Sequence, residues 1–140
     1  MSDEKQWLPT SNNIDDYKLL IDMLSSQRKE FDILSKKKAD GQLNLTKIKM
    51  LNRVLDPLKQ LCEREPSHMF LDSISEDDIP TYSDVVLIIS QYKTALDEFK
   101  KKYFLKDEYQ STYGNSVHRW MTQEYPPDYY NEEDEYEEDE

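Results

Sequence analysis

Apolar residues recur at three- and four-residue steps in three stretches of the chain, and each stretch predicts an amphipathic helix. The first holds Ile14, Tyr17, Leu20, Ile21, Leu24, Phe31 and Leu34, with a polar gap at Gln27 and Arg28. Asn13 followed by Asp16 reads as a cap with a first-turn carboxylate, and Lys36-Lys37-Lys38 before Gly41 as a cationic last turn and a stop. The predicted helix covers residues 13–40. The second stretch has the cleanest period: Ile48, Leu51, Leu55, Leu58 and Cys62, widened by Leu45, Val54 and Leu61. It predicts a helix over 44–65, kinked at Pro57, because a proline inside a helix removes a hydrogen bond and crowds the preceding turn.

Residues 66–83 carry Pro66, Pro80 and the acidic run Ser75-Glu76-Asp77-Asp78. They read as a connection with one short turn burying Met69, Phe70, Leu71 and Ile74. The third helix, over 81–104, follows Val85, Ile89, Tyr92, Leu96, Phe99 and Tyr103. The apolar run Val85-Val86-Leu87-Ile88-Ile89 would by itself suit a strand, but the stripe continues well beyond strand length. Residues 105–123 mix Tyr109, Tyr113, Val117, Trp120 and Met121 with polar spacers and read as an aromatic linker that could close in a short helix over 117–123. Ahead of the body lies a polar lead, residues 1–12, with one anchor at Trp7-Leu8-Pro9. No hairpin signal punctuated by glycine stands out. The expected fold class is therefore all-α: a three-helix up-down-up bundle, or a helical hairpin with coiled-coil-like seams, followed by a tail.

Charge changes this picture at one end. The 140 residues carry 18 Lys and Arg against 30 Asp and Glu, a net charge of −12. Ten of the acids fall in residues 124–140, which hold no Lys or Arg; residues 1–123 keep 20 acidic against 18 basic groups. That last segment is acidic and tyrosine-rich with no aliphatic residue, a composition that predicts disorder. An up-down-up path would also bring the first helix end, the second helix start and the third helix end to one pole. Lys36, Lys37, Lys38, Lys47, Lys49, Lys100, Lys101 and Lys102 would gather there as an anion-binding pole. Helix-dipole complementarity explains Lys36–Lys38 and Lys100–Lys102 without any ligand, though not Lys47 and Lys49 at a helix start. A tail folded back on those lysines would screen them from nucleic acid.

Candidate chemistry narrows quickly. Two glycines, Gly41 and Gly114, stand far apart, so neither a phosphate-cradling loop nor a dinucleotide fingerprint is present. Cys62 is the lone thiol and sits on the second helix's apolar seam, which favours a buried, inert role. His68 and His118 lie fifty residues apart with no metal-ligand spacing. The run Ser75–Asp78 lacks the glycine and alternation of a calcium loop. No catalytic residue, metal or cofactor is expected.

Attention therefore falls on contacts. Trp120, Tyr125, Tyr129, Tyr130, Glu132, Glu133, Asp134, Glu135 and Tyr136 are the partner-binding candidates, because aromatic residues set among acids can dock on a basic protein surface. Pro126-Pro127-Asp128-Tyr129 also matches the short proline motif read by WW domains. The sequence thus predicts a non-enzymatic adaptor or assembly protein, with a virus or phage component included in that class. Its partner would be a protein with a basic surface or a second copy. The alternative is a regulator of nucleic-acid transactions, acting by DNA mimicry or through the lysine pole. No apolar run reaches the roughly 18 residues that cross a bilayer, so no membrane is expected. The acidic N-terminus has no apolar run behind it, and one thiol fits a reducing compartment. An intracellular, cytoplasmic setting follows, with a nuclear or virion location left open.

Overall fold

The computed structural model describes residues 6–110 and 116–127. It is built on three packed helices, α1 (Ser11–Lys37), α2 (Leu45–Leu61) and α3 (Tyr82–Tyr103), with a 3-10 turn at Pro66–Phe70 and two short strands, β1 (Phe104–Gln110) and β2 (Ser116–Trp120). The chain divides into two compact units, residues 16–99 and residues 1–15 with 100–140.

In the unit of residues 16–99 the three apolar stripes meet. Ile48, Leu51, Leu55, Leu58 and Cys62 of the second periodicity are buried, as are Val85, Ile89, Tyr92, Leu96 and Phe99 of the third. Helix α2 starts where Asn44 accepts the Lys47 amide at 2.8 Å. It runs through Pro57 without interruption to Leu61. The proline leaves the Arg53 carbonyl without its helical donor, a loss the buried stripe on both sides outweighs. Helix α3 starts with a reciprocal cap: the Thr81 amide donates to the Asp84 carboxylate at 3.0 Å and the Asp84 amide to the Thr81 hydroxyl at 3.2 Å. These hydrogen bonds hold the Asp84 carboxyl below its ordinary range.

The three packed helices bear out the all-α bundle; within it the path between them departs from up-down-up. Tyr82 donates its amide to Gly41 at 2.8 Å, Ser83 to Ala39 at 3.1 Å, and Gln42 bridges to Thr81. The start of α3, not its end, therefore meets the turn between α1 and α2. Helix α3 then runs back along α1: Phe31 faces Tyr82 at 6.1 Å, while Tyr17 stacks on Phe99 at 5.7 Å and its hydroxyl donates to the Leu96 carbonyl. Both α2 and α3 are antiparallel to α1. Residues 62–81 make this possible by returning along α2 as a strap. Asn52 holds the strap with both ends of its amide, donating to the Ile74 carbonyl at 2.9 Å and accepting its N–H at 3.2 Å. The Tyr92 hydroxyl donates to Asp72 at 2.8 Å. Leu71 and Ile74 are buried as expected, but Met69 and Phe70 are not: they stand 77% and 60% exposed on the 3-10 turn.

The second unit is built from both ends of the described chain. Thr10 caps α1, accepting the Asn13 amide at 3.1 Å, and Asn13 returns the bond to Thr10 at 2.9 Å. The helix thus begins two residues ahead of the expected start, with Asn13 inside its first turn. Residues 104–110 and 116–120 correct the aromatic linker and its short closing helix: they are antiparallel strands, Phe104 opposite Trp120 and Asp107 opposite Val117. The reason lies at the base of the hairpin, where Phe104 and Trp120 meet edge to face at 5.3 Å, a cross-strand pairing unavailable to a helix.

Candidate functional site

Of the partner-binding candidates, Trp120 and Tyr125 fall among the described residues; Tyr129, Tyr130, Glu132, Glu133, Asp134, Glu135 and Tyr136 lie outside them. Trp120 is half-buried against Phe104, so packing takes part of its ring. Tyr125 is 49% exposed and lies in a segment fixed on both sides.

That segment, residues 121–127, is anchored by three devices. The Met121 amide donates to the Tyr103 carbonyl at 2.7 Å, continuing from β2. The Gln123 amide donates to Pro9 and its side chain to Leu8, both at 2.9 Å, while the Glu124 carboxylate accepts the Ser11 amide at 3.1 Å. Those bonds to the first turn of α1 hold the Glu124 carboxyl below its ordinary range. Arg119 then gathers the carbonyls of Tyr125, Pro126 and Pro127 at 2.7, 2.8 and 3.2 Å. Pro126 and Pro127 have no N–H to offer a ladder, so an external fork of donors is the available way to hold their backbone. The sequence marks this region only as the end of the aromatic linker, residues 117–123; the role of Arg119 depends on partners six to eight residues downstream.

Of the lysine-pole candidates, Lys36, Lys37, Lys38, Lys47 and Lys49 belong to the 16–99 unit and Lys100, Lys101 and Lys102 to the other. In the 16–99 unit, Lys47 lies over the Tyr82 ring at 5.9 Å, close to the turn that follows Lys36–Lys38. In the second unit, Lys100 and Lys102 lie over Phe104 and Tyr103, each at 5.3 Å.

A different cationic feature appears where α1 breaks its apolar stripe. Between buried Leu24 and buried Phe31 the chain places Gln27 and Arg28, and a charged side chain cannot fill a core position without a buried partner. The space left between α1 and α3 is a groove of about 390 Å³. Ile21, Leu24 and Ile89 form its apolar floor, and Arg28, Lys29, Lys93, Asp32 and Ser25 surround it. Arg28 approaches Asp32 at only 3.9 Å, a surface pairing that holds the guanidinium weakly.

Cys62 is fully buried, and burial, then the nearby Glu65 carboxylate, pushes its thiol up to about 12. A thiol so placed is a packing residue, not a nucleophile. Among the described residues no three of His, Cys, Asp and Glu converge on a common centre, and no helix is long and apolar enough to cross a membrane. No protein-family model, curated protein or solved structure matches the chain.

Proposed function

We propose that this chain is a non-enzymatic adaptor or assembly protein that holds protein partners through its helical surface and its acidic, tyrosine-rich C-terminal segment. The observation that carries this reading is the pair Met69 and Phe70, adjacent on the 3-10 turn and presented to solvent at 77% and 60% exposure. Two neighbouring large apolar side chains lose hydration cost only when something covers them, and Met and Phe are enriched in the centres of protein interfaces. The anchored segment 121–127 adds to it, because a fixed base gives the acidic residues that follow a defined point of departure.

The test is photo-crosslinking in the producing cell, with a photoreactive phenylalanine analogue at position 70 of the full chain and, as control, at the exposed Gln91 of α3. A discrete adduct from position 70, absent from position 91 and lost with Met69→Ser, supports the reading. Equal or absent adducts at both positions overturn it.

A further inference from the structure

We infer that the groove between α1 and α3 is a receptor for the acidic tyrosine segment of a second copy of this chain, residues 128–140. The inference rests on the adaptor reading and names one partner for its helical surface. Two independent properties of the groove select this chemistry.

The first is its floor. Ile89 has no exposure of its own, Leu24 is buried and Ile21 half-buried, so the bottom is apolar and supported from behind by the core. A groove of about 390 Å³ is at the small end of the range for ligand pockets, which is room for an aromatic side chain or two and not for a folded domain. The second property is its charge. Arg28, Lys29 and Lys93 stand against the one acid, Asp32, so the groove carries an excess of two positive charges inside a chain whose net charge is −12. An occupant must therefore be anionic and aromatic together. Residues 128–140 contain nine acidic residues, three tyrosines at 129, 130 and 136, and no basic residue. The adjacent Tyr129 and Tyr130 would lie on Ile21, Leu24 and Ile89, with the acids meeting the cations at the edges.

Charge complementarity of this kind sets register and speeds encounter, while the aromatic contacts slow release. Arg28 adds a planar donor fork that Asp32, at 3.9 Å, leaves largely available to a carboxylate. Because donor and acceptor belong to the same chain, the arrangement is head-to-tail and would link copies in series unless it closes on itself.

The experiment uses the full chain and a fluorescein-labelled peptide of residues 128–140, titrated by anisotropy at low and at physiological salt. Binding to the wild-type chain is expected, with a loss of about tenfold or more in Lys29→Glu/Lys93→Glu. Lys49→Glu/Arg53→Glu, which makes the same charge change on the exposed face of α2, should alter affinity by less than about threefold. Equal losses in both double variants, or no binding at low salt, overturn the proposal. A peptide with Tyr129, Tyr130 and Tyr136 replaced by Ser keeps every charge; it should bind at least about fivefold more weakly, and unchanged affinity would identify a general attraction to polyanions. Light scattering completes the test. The wild-type mass should rise with concentration and that of Lys29→Glu/Lys93→Glu should stay monomeric, with helical circular dichroism intact in both; a wild-type chain monomeric throughout overturns the second copy as occupant. A negative peptide result beside a positive cross-link at position 70 removes the groove alone, and failure of both removes the adaptor reading as well.

Discussion

Replacing Asn52 with alanine tests whether the strap is held by a few named bonds or simply lies on the helices. Asn52 makes two hydrogen bonds to one residue, donating to the Ile74 carbonyl and accepting its N–H, where Ile74 is buried and Asn52 half-buried. Truncation removes both and leaves two backbone groups without their partner. A net hydrogen bond contributes about 1 kcal/mol, and an orphaned buried group costs about 1–3 kcal/mol, so the half-exposed setting points to a loss of about 2 kcal/mol. Tyr92→Phe, which removes only the hydroxyl bonded to Asp72, should cost about 1 kcal/mol. The assay is urea unfolding of the full chain followed by circular dichroism, with the midpoint falling and the slope unchanged. Because both bonds hold the same strap, the double variant should depart from additivity by about 0.5 kcal/mol or more. A loss below about 0.5 kcal/mol for Asn52→Ala, or strict additivity in the double variant, would refute the clamp.

Gly41→Ala should destabilise the chain by about 1–3 kcal/mol through overpacking, because a Cβ there would lie 2.5 and 2.7 Å from the Tyr82 ring. Thermal unfolding reads it, and an unchanged or raised midpoint would contradict the close approach. Stability should also fall in alkali. Burial raises Cys62 from 9.0 to about 12 and Tyr17 from 10.0 to about 12, and it raises Tyr92 in the same direction. The unfolded chain therefore ionises first, so the stabilisation is complete below pH 9.0 and is lost as pH climbs toward 12. Urea midpoints that stay flat between about pH 8 and about pH 11 would exclude this linkage. At the acid end Glu124 has the opposite sign: its lowered carboxyl favours the docked segment above pH 4.5 and releases it as pH falls through the folded value. Glu124→Gln should speed hydrogen exchange at the Ser11 amide; identical protection in both proteins would show that the carboxylate contributes nothing there.

How far the fold could be read in advance depends on whether the determining contact is local. The α2 stripe from Ile48 to Cys62 and the α3 stripe from Val85 to Phe99 are buried as their spacing demands, since a 3.6-residue period is written in consecutive residues. The helix starts near Asn44 and Thr81 were equally legible, though not the bonds that cap them. The direction of α3 was not. It depends on a strap that pairs with Asn52 and Tyr92, polar residues whose partners lie about twenty positions away and leave no periodic trace. The groove's signal was present as the gap at Gln27 and Arg28, but Lys93 joins it only once α3 is known to run beside α1. The hairpin hid for another reason: its strands alternate poorly, and the pairing of Phe104 with Trp120 spans sixteen residues.

The strap also fixes an order of events. Helices α1 and α2 are joined by a short turn and can associate as soon as both exist, whereas the Tyr17–Leu96 bond links residues 79 positions apart. Closing that long loop carries an entropic cost repaid only when α3 is complete, so the α1–α2 hairpin can form before Tyr17 and Phe31 gain their partners on α3. On a ribosome that interval lasts for the synthesis of the strap and all of α3. A chain released early, before residue 99, would leave Tyr17 permanently without its ring partner. Integrity of the last helix thus decides whether Tyr17 and Phe31 of the first find their aromatic partners.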